Sequence, residues 1–372
     1  MSGVHFEVHS GPHGQLAVAT LANPKALNAL TQDMVEVLLQ QLTRWAADPA
    51  IHCVVLRGDE RAFCAGGDVV AVAKHALAHP GDPNPVAEAF FTAEYQLDYA
   101  IHTYPKPLVA WGHGIVMGGG VGMLVGASHR VVTETARVAM PEITIGLYPD
   151  VGGSWFLHQW PGRTGLFLGL TGAHLNAADA CYVGLGDYFI GDGQRQAVLD
   201  ALVALPWSGE AGGDGDRVSH CLGEFAAACE GERPDSPVAR HRDRLERLSD
   251  CTRVETFAAR LLAADFDDPW LTRARETFRR GSPTSAKLIF AAYTFGRHQS
   301  LVEAFQQEWI LSVQCASRSE FAEGVRALLI DKDKPPRWQP ATLAEVRDDV
   351  IAAHFTLPPH LENHPLAALG DD

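Results

Sequence analysis

Over its first third the chain sets short apolar runs with β-forming composition against longer runs with helical spacing. "HFEVHS" (5–10) and "LAVATL" (16–21) have the look of paired strands, whereas "TQDMVEVLLQQLTRWAAD" (31–48) brings apolar residues back at three- and four-residue intervals. "IHCVVLRG" (51–58) follows as a buried strand ending at Gly58. "KPLVAWGHG" (106–114) is another strand, "GGGVGMLVGA" (118–127) a helix opened by glycines, and "HRVVTE" (129–134) a further strand. Strands that alternate with helices bury their apolar faces by layering. The pattern therefore predicts an α/β fold whose strand ends feed loops, where binding and catalysis concentrate.

From about residue 205 the texture changes. "SGEAGGDGD" (208–216) reads as a Gly/Asp linker, and the charged segments "VARHRDRLERL" (238–248) and "PWLTRARETFRRG" (269–281) predict helices. We therefore expect an α/β core over 1–205, a helical region over 206–372, and a loosely ordered tail, "PPHLENHPLAALGDD". A chain of 372 residues with 47% hydrophobic composition can bury a large core. Its 45 acidic against 30 basic residues argue against a nucleic-acid or anionic-lipid surface. Seven cysteines without a CxxC pair fit free thiols in a reducing compartment, the longest apolar run (114–127) is too short for a membrane span, and "MSGVHFEVHSG" carries no signal or transit pattern. The expected location is cytoplasmic, with neither membrane nor nucleic acid as partner.

Two glycine clusters stand where strands give way to helices: "RAFCAGGDVV" (61–70) and "HGIVMGGGVG" (113–122). Glycines let bare backbone N–H groups approach a ligand, and a following helix N-terminus adds positive potential. Neither cluster continues into Lys-Ser/Thr, and the second has the wrong spacing for a dinucleotide fingerprint, so a phosphate loop is excluded. Either cluster alone is better explained by backbone convenience or close helix packing. Downstream, "MPEITIGLYPDVGG" (140–153) holds two acids, Glu142 and Asp150, in a stretch with no other charge. Two N–H donors aimed at one point plus a nearby carboxylate are what acyl transfer requires.

Together with "NPKALNAL" (23–30), these blocks resemble, in order and spacing, the signatures of the enoyl-CoA hydratase/isomerase (crotonase) superfamily over residues 5–195. "SPTSAK" (282–287) and "FAEGVRALLIDKDKPPRWQPATL" (321–343) are similar to the C-terminal region of its branch that hydrolyses 3-hydroxyisobutyryl-CoA. The resemblance implies a crotonase-like (ClpP/crotonase) ββα spiral core with a helical C-terminal region. It implies an acyl-CoA substrate, with coenzyme A part of that substrate and no further cofactor. It places the N–H groups of Gly67 and Gly119 as oxyanion donors, Glu142 as the carboxylate shared with hydratases, and Asp150 as the acid of the hydrolase branch. Lys25, Ala26, Leu27, Asn28, Ala65, Gly66, Asp68 and Gly118 fall on walls of the coenzyme A site, and Lys332 and Lys334 near its nucleotide phosphate.

Hydratases of this family carry a second glutamate at the position that here is Gly122. With that carboxylate missing, hydration is hard to explain, since a positioned acid or base supplies about 10²–10⁴-fold in rate. Asp150 then supplies the second acid, suited to pair with a substrate 3-hydroxyl. Glu142 would activate water or attack the thioester to form a mixed anhydride, and both courses stand open. The resemblance thus implies hydrolysis of a short 3-hydroxyacyl-CoA, 3-hydroxyisobutyryl-CoA of valine breakdown above all. An enoyl-CoA hydratase or isomerase, and a non-catalytic acyl-CoA-binding subunit, are the rivals. Asp68 reads as a helix N-cap, His113 and Cys64 as lining, and Glu94 and Tyr95 as packing residues. His75 and His79 lack a further ligand at metal spacing, so no metal site is expected. No interface is legible, which leaves a homo-oligomer open.

Overall fold

The computed structural model describes residues 3–59 and 61–371, so the outermost residues of both terminal segments quoted above lie outside the described residues. The chain forms two compact units that interleave along the sequence. The first takes Met1–Gly67, Leu97–Val138 and His174–Ala239; the second takes Asp68–Gln96, Ala139–Ala173 and Arg240–Asp372.

The first unit is built on a six-stranded sheet. Its strands are β1 (Val4–Ser10), β2 (Gln15–Leu21), β3 (Ile51–Gly58), β5 (Leu108–Gly112), β7 (His129–Val132) and β9 (Tyr188–Phe189), in that spatial order. Strands β4 (Ala62–Cys64), β6 (Ile115–Met117) and β8 (Arg137–Ala139) make a second, three-stranded sheet. Only β1 and β2 pair antiparallel in the larger sheet; β2, β3, β5, β7 and β9 run parallel. The sequence shows why. β2 buries Leu16, Ala17, Val18, Ala19 and Leu21, and β3 buries Val54, Val55 and Leu56, continuous runs that suit parallel strands covered on both faces. β1, with Phe6 and Val8 exposed, is the edge. Helix Gln32–Ala47 turns Met34, Val35, Leu38, Leu42 and Trp45 inward, and Thr31 caps it by accepting from the Met34 N–H.

One expectation fails in this unit. The 208–216 stretch is not a linker: from Ala211 it is already helix, in the element Ala211–Cys229. The buried Asp214 carboxylate accepts from the N–H groups of Ser208 and Gly209 and from the Ser208 hydroxyl, and Arg217 bonds to it. That cluster satisfies the polar groups of a glycine-rich helix start whose composition alone suggested a loop.

The second unit is helical. Its main elements are Val69–Ala78, Thr164–Thr171, Val254–Ala263, Pro269–Arg280, Pro283–Gly296, Leu301–Ala316 and Ser319–Val325, with helix Pro85–His102 contributing residues up to Gln96. Helix Leu301–Ala316 opens with a capping box between Ser300 and Glu303, and Asp268 caps Pro269–Arg280. The tail is more ordered than expected. His364 Nε2 lies 2.8 Å from the Gln306 carbonyl, the Gln306 side chain donates to the Leu366 carbonyl at 3.0 Å, and Leu366 is buried. Among the described residues, no helix is long and apolar enough to cross a membrane.

Candidate functional site

In the first unit the two glycine turns lie against each other. Gly66 has φ +100°, and a Cβ there would stand 3.1 Å from the Met117 carbonyl oxygen and 3.6 Å from the Gly119 amide nitrogen. Gly118, the residue before helix Gly119–Gly126, has φ +51° and ψ −124°, a conformation that L side chains rarely adopt. Gly120 brings its backbone so close to β4 that a Cβ would sit 2.4 Å from the Cys64 carbonyl oxygen. The triple glycine therefore answers two demands, a strained turn at 118 and close packing at 120. Gly122 is buried within the same helix.

The segment 25–28 braces these turns. Leu27 and Asn28 both have positive φ (53° and 59°), and the Leu27 carbonyl accepts from the Ala65 N–H at 3.0 Å. Buried Asn28 accepts from the Asn23 N–H at 2.9 Å and donates to the carbonyls of Ala62 at 2.8 Å and Asp59 at 3.1 Å, so its amide is fully engaged by the framework. Leu30 holds the other side, its N–H donating to the Gly66 carbonyl at 2.8 Å while it bridges Gly67. Lys25 and Ala26 are exposed on the 3₁₀ turn Pro24–Ala26. His113 is buried near the same strand ends.

The second unit holds the acids. Asp68 caps helix Val69–Ala78 through the Val70 N–H, the structural role expected of it. Glu142 opens the 3₁₀ turn Glu142–Ile145; it is 4% exposed, and its Oε2 has no hydrogen-bond partner among the described residues. Asp150, equally buried, ends a loop that turns through positive φ at Val151 and Gly152 into helix Gly153–Phe156. Its Oδ2 accepts the Tyr95 hydroxyl at 2.7 Å. Tyr95 lies 2.6 Å from the Ser312 hydroxyl, Ser312 lies 2.9 Å from the Tyr148 hydroxyl, and Tyr148 donates to the Glu308 carbonyl at 2.7 Å. The packing role expected of Tyr95 is thus incomplete: its ring is buried, and its hydroxyl holds the acid.

Electrostatics in this cluster follow from burial without a cation. Among the described residues, neither Lys nor Arg forms an ion pair with Glu94, Glu142 or Asp150. Burial, reinforced by the Asp150 charge, holds the Glu142 carboxyl well above the usual range. Burial lifts Asp150 to about 6, opposed by the Tyr95 hydrogen bond.

Glu308, a fully buried acid on helix Leu301–Ala316, was not singled out from the sequence. Its carboxylate accepts from the Gly152 N–H at 2.7 Å, the Ser154 N–H at 2.8 Å and the Ser154 hydroxyl at 2.6 Å, and so pins the loop that carries Asp150. Burial pushes this carboxyl up to about 8 against those three donors. A sequence signal existed: Phe305, Glu308, Trp309 and Ser312 share one helical face, an acid and a hydroxyl inside an apolar stripe.

The C-terminal motifs close around the Glu142 turn. The Ser282 N–H of "SPTSAK" donates to the Ile143 carbonyl at 2.9 Å, and a Cβ at Gly146 or Gly324 would meet backbone of the opposite segment within 2.6 Å. A cavity of about 1040 Å³ in this unit is lined by Gly146, Leu288, Cys315, Glu320 and Phe321, and by neither Glu142 nor Asp150. Lys332 and Lys334 are exposed beside Asp331 and Asp333, which pair with Arg326.

The family model for enoyl-CoA hydratase/isomerase matches residues 16–355. The chain belongs to the enoyl-CoA hydratase/isomerase family. Curated relatives include the mitochondrial 3-hydroxyisobutyryl-CoA hydrolase of Danio rerio, 38% identical over 346 residues (92% of this chain, 87% of the relative), and that of Homo sapiens, 35% identical over 345 residues (92% and 86%). Among solved structures, a carnitinyl-CoA dehydratase from Mycobacterium thermoresistibile superposes with TM-score 0.84 at 34% identity, covering 97% of this chain and 98% of that one. An enoyl-CoA hydratase from Rhodobacter sphaeroides gives TM-score 0.80 at 32% identity, with 96% and 98% covered. The family's crotonase-like α/β fold is thus the fold of this chain, as its glycine and acid blocks predicted, and an acyl-CoA is the ligand class that goes with the family.

Proposed function

We propose that this family member hydrolyses a short 3-hydroxyacyl-CoA thioester, 3-hydroxyisobutyryl-CoA in particular, and so takes part in valine breakdown. The observation that carries the reading is the buried Glu142, whose Oε2 has no hydrogen-bond partner among the described residues, in a cluster with Asp150 where no described Lys or Arg forms an ion pair. The names of the curated relatives support the substrate. The solved neighbours carry hydratase and dehydratase names, and what speaks for hydrolysis instead is Gly122, where no side chain stands to handle water at a double bond.

In this scheme the N–H groups of Gly67 and Gly119 stabilise the charge that develops on the thioester oxygen. Glu142, made more basic by burial, takes a proton from water while the hydroxide adds to the carbonyl carbon. Collapse breaks the C–S bond, and the thiolate of coenzyme A leaves with the proton that Glu142 held. Asp150 accepts a hydrogen bond from the substrate 3-hydroxyl, which would otherwise be buried unpaired. The scheme needs no metal or redox cofactor. The test is free-thiol release from a panel of acyl-CoA thioesters, followed beside the absorbance of crotonyl-CoA. Thiol release from 3-hydroxyacyl-CoA with negligible hydration is expected; hydration at an equal or higher rate would overturn the reading, and binding without either reaction would make the chain an acyl-CoA-binding subunit.

A further inference from the structure

Within the second unit, helices Val69–Ala78, Pro283–Gly296, Ser319–Val325 and Asp348–His354 wall the cavity of about 1040 Å³. That is the size of a site for a drug-sized molecule, roughly 300–1,000 Å³. Each helix gives it an apolar side chain, Leu77, Leu288, Phe321 and Val350 in turn, and Leu77 is 44% exposed.

The charges along these walls are mostly spoken for. Arg326 donates to both oxygens of Glu323, at 2.8 and 2.9 Å, and the Arg337 N–H adds a third bond at 2.8 Å. Glu320 accepts the Ser282 hydroxyl at 3.2 Å, and burial lifts it to about 7, which blunts its charge. Burial, aided by the Arg318 charge, pushes His354 down to about 4, so the ring is neutral, with Nδ1 2.7 Å from the Val350 carbonyl. Arg318 differs. It is half-buried, its Nη2 donates to the Gln314 side chain at 3.1 Å, and its Nε has no hydrogen-bond partner. Among the described residues no carboxylate pairs with it, in a chain of 45 acidic against 30 basic residues. A guanidinium presents a planar fork of donors that matches a carboxylate, and beside an apolar wall such a pair is little screened.

We propose that this cavity is a binding site for an amphipathic monocarboxylate, whose carboxylate pairs with Arg318 while its hydrocarbon body lies against Leu77, Leu288, Phe321 and Val350. A phosphate monoester fits less well: it carries close to two charges, and one unpaired guanidinium must offset them beside Glu320 and Glu323. The ligand is distinct from the acyl-CoA of the family, since neither Glu142 nor Asp150 lines the cavity.

The experiment is calorimetric titration of sodium octanoate, and separately of octan-1-ol, into the full chain with coenzyme A at saturation. One octanoate should bind per chain with coenzyme A present, and octan-1-ol should bind more weakly. Arg318→Gln should weaken octanoate by roughly 10-fold or more, the worth of a hydrogen bond to a charged group, and leave octan-1-ol nearly unchanged. Leu77→Glu, a change on an exposed position, should also weaken octanoate more than the alcohol, by setting a negative charge on the wall. It decides alone should Arg318→Gln fail to fold. Displacement of octanoate by coenzyme A, equal losses on acid and alcohol, or no octanoate binding at millimolar concentration would overturn the proposal.

Discussion

The Tyr95 hydroxyl donates a 2.7 Å hydrogen bond to Asp150 Oδ2 across 55 residues of sequence. Because its hydrogen is committed there, and Tyr148 commits its own to the Glu308 carbonyl, Ser312 between the two tyrosines must serve as donor. The result is a directed chain ending on a buried carboxylate. It opposes the upward push of burial on Asp150, whose pKa nonetheless stands at about 6.

Tyr95→Phe should therefore raise the Asp150 pKa further. Asp150 accepts far more strongly when ionised, so the acid limb of kcat/KM should move to higher pH, with a larger loss at pH 6 than at pH 8. A hydrogen bond to a charged group contributes about 1.5–3 kcal/mol, which sets the expected loss at roughly 10- to 150-fold. A pH profile that falls uniformly without moving would show that Tyr95 acts only through packing.

Glu142→Gln should abolish thiol release while leaving acyl-CoA binding nearly intact, a loss of about 10²–10⁴-fold or more. Single turnover of the wild type in ¹⁸O-water separates its two possible roles. With Glu142 as base, the label enters the product and not the protein; label in the Glu142 carboxylate would establish a mixed anhydride.

Glu308→Gln should destabilise the protein rather than remove a reacting group. The amide keeps one oxygen where the carboxylate uses both, so the Gly152 N–H or the Ser154 pair loses its acceptor. A buried donor left unmet costs about 1–3 kcal/mol, readable in urea unfolding at neutral pH. Stability equal to wild type would show that the loop does not depend on Glu308.

The two central glycines should respond differently to alanine. Gly118→Ala meets a backbone conformation that L residues rarely adopt, costing about 1–3 kcal/mol. Gly120→Ala drives a Cβ to 2.4 Å from the Cys64 carbonyl oxygen, so strand and helix must separate. Thermal unfolding should show the larger drop for Gly120→Ala, and thiol release should fall in both. A neutral Gly120→Ala would contradict the close packing.

Much of this was legible in the chain because the physics is local. Strands β2 and β3 announce themselves as unbroken apolar runs, and a glycine at 118 marks a turn that no L side chain enters easily. The acids Glu142 and Asp150 stood out because their stretch carries no other charge. Glu308, Ser312 and Tyr95 were less visible, since each sits on an amphipathic helix where an inward polar residue resembles a solvated one until its face is known. The tail at 358–371 and the glycine-rich start at 211 were misread for a related reason. Each is held by partners distant in sequence or by one buried side chain, and composition records neither.

By itself, then, the sequence determined the α/β alternation, the positions of the glycine turns and the identity of two acids, because these depend on backbone sterics and on the spacing of apolar residues along one segment. Only the tertiary structure decided which acids are dry, which find donors and which are left unpaired. Glu94, Glu142, Asp150 and Glu308 are all buried carboxylates, yet their hydrogen-bond partners differ, and those partners come from segments far apart in the chain. Burial removes water equally from all four. What each can do is then set by the few polar groups that folding brings within three ångströms.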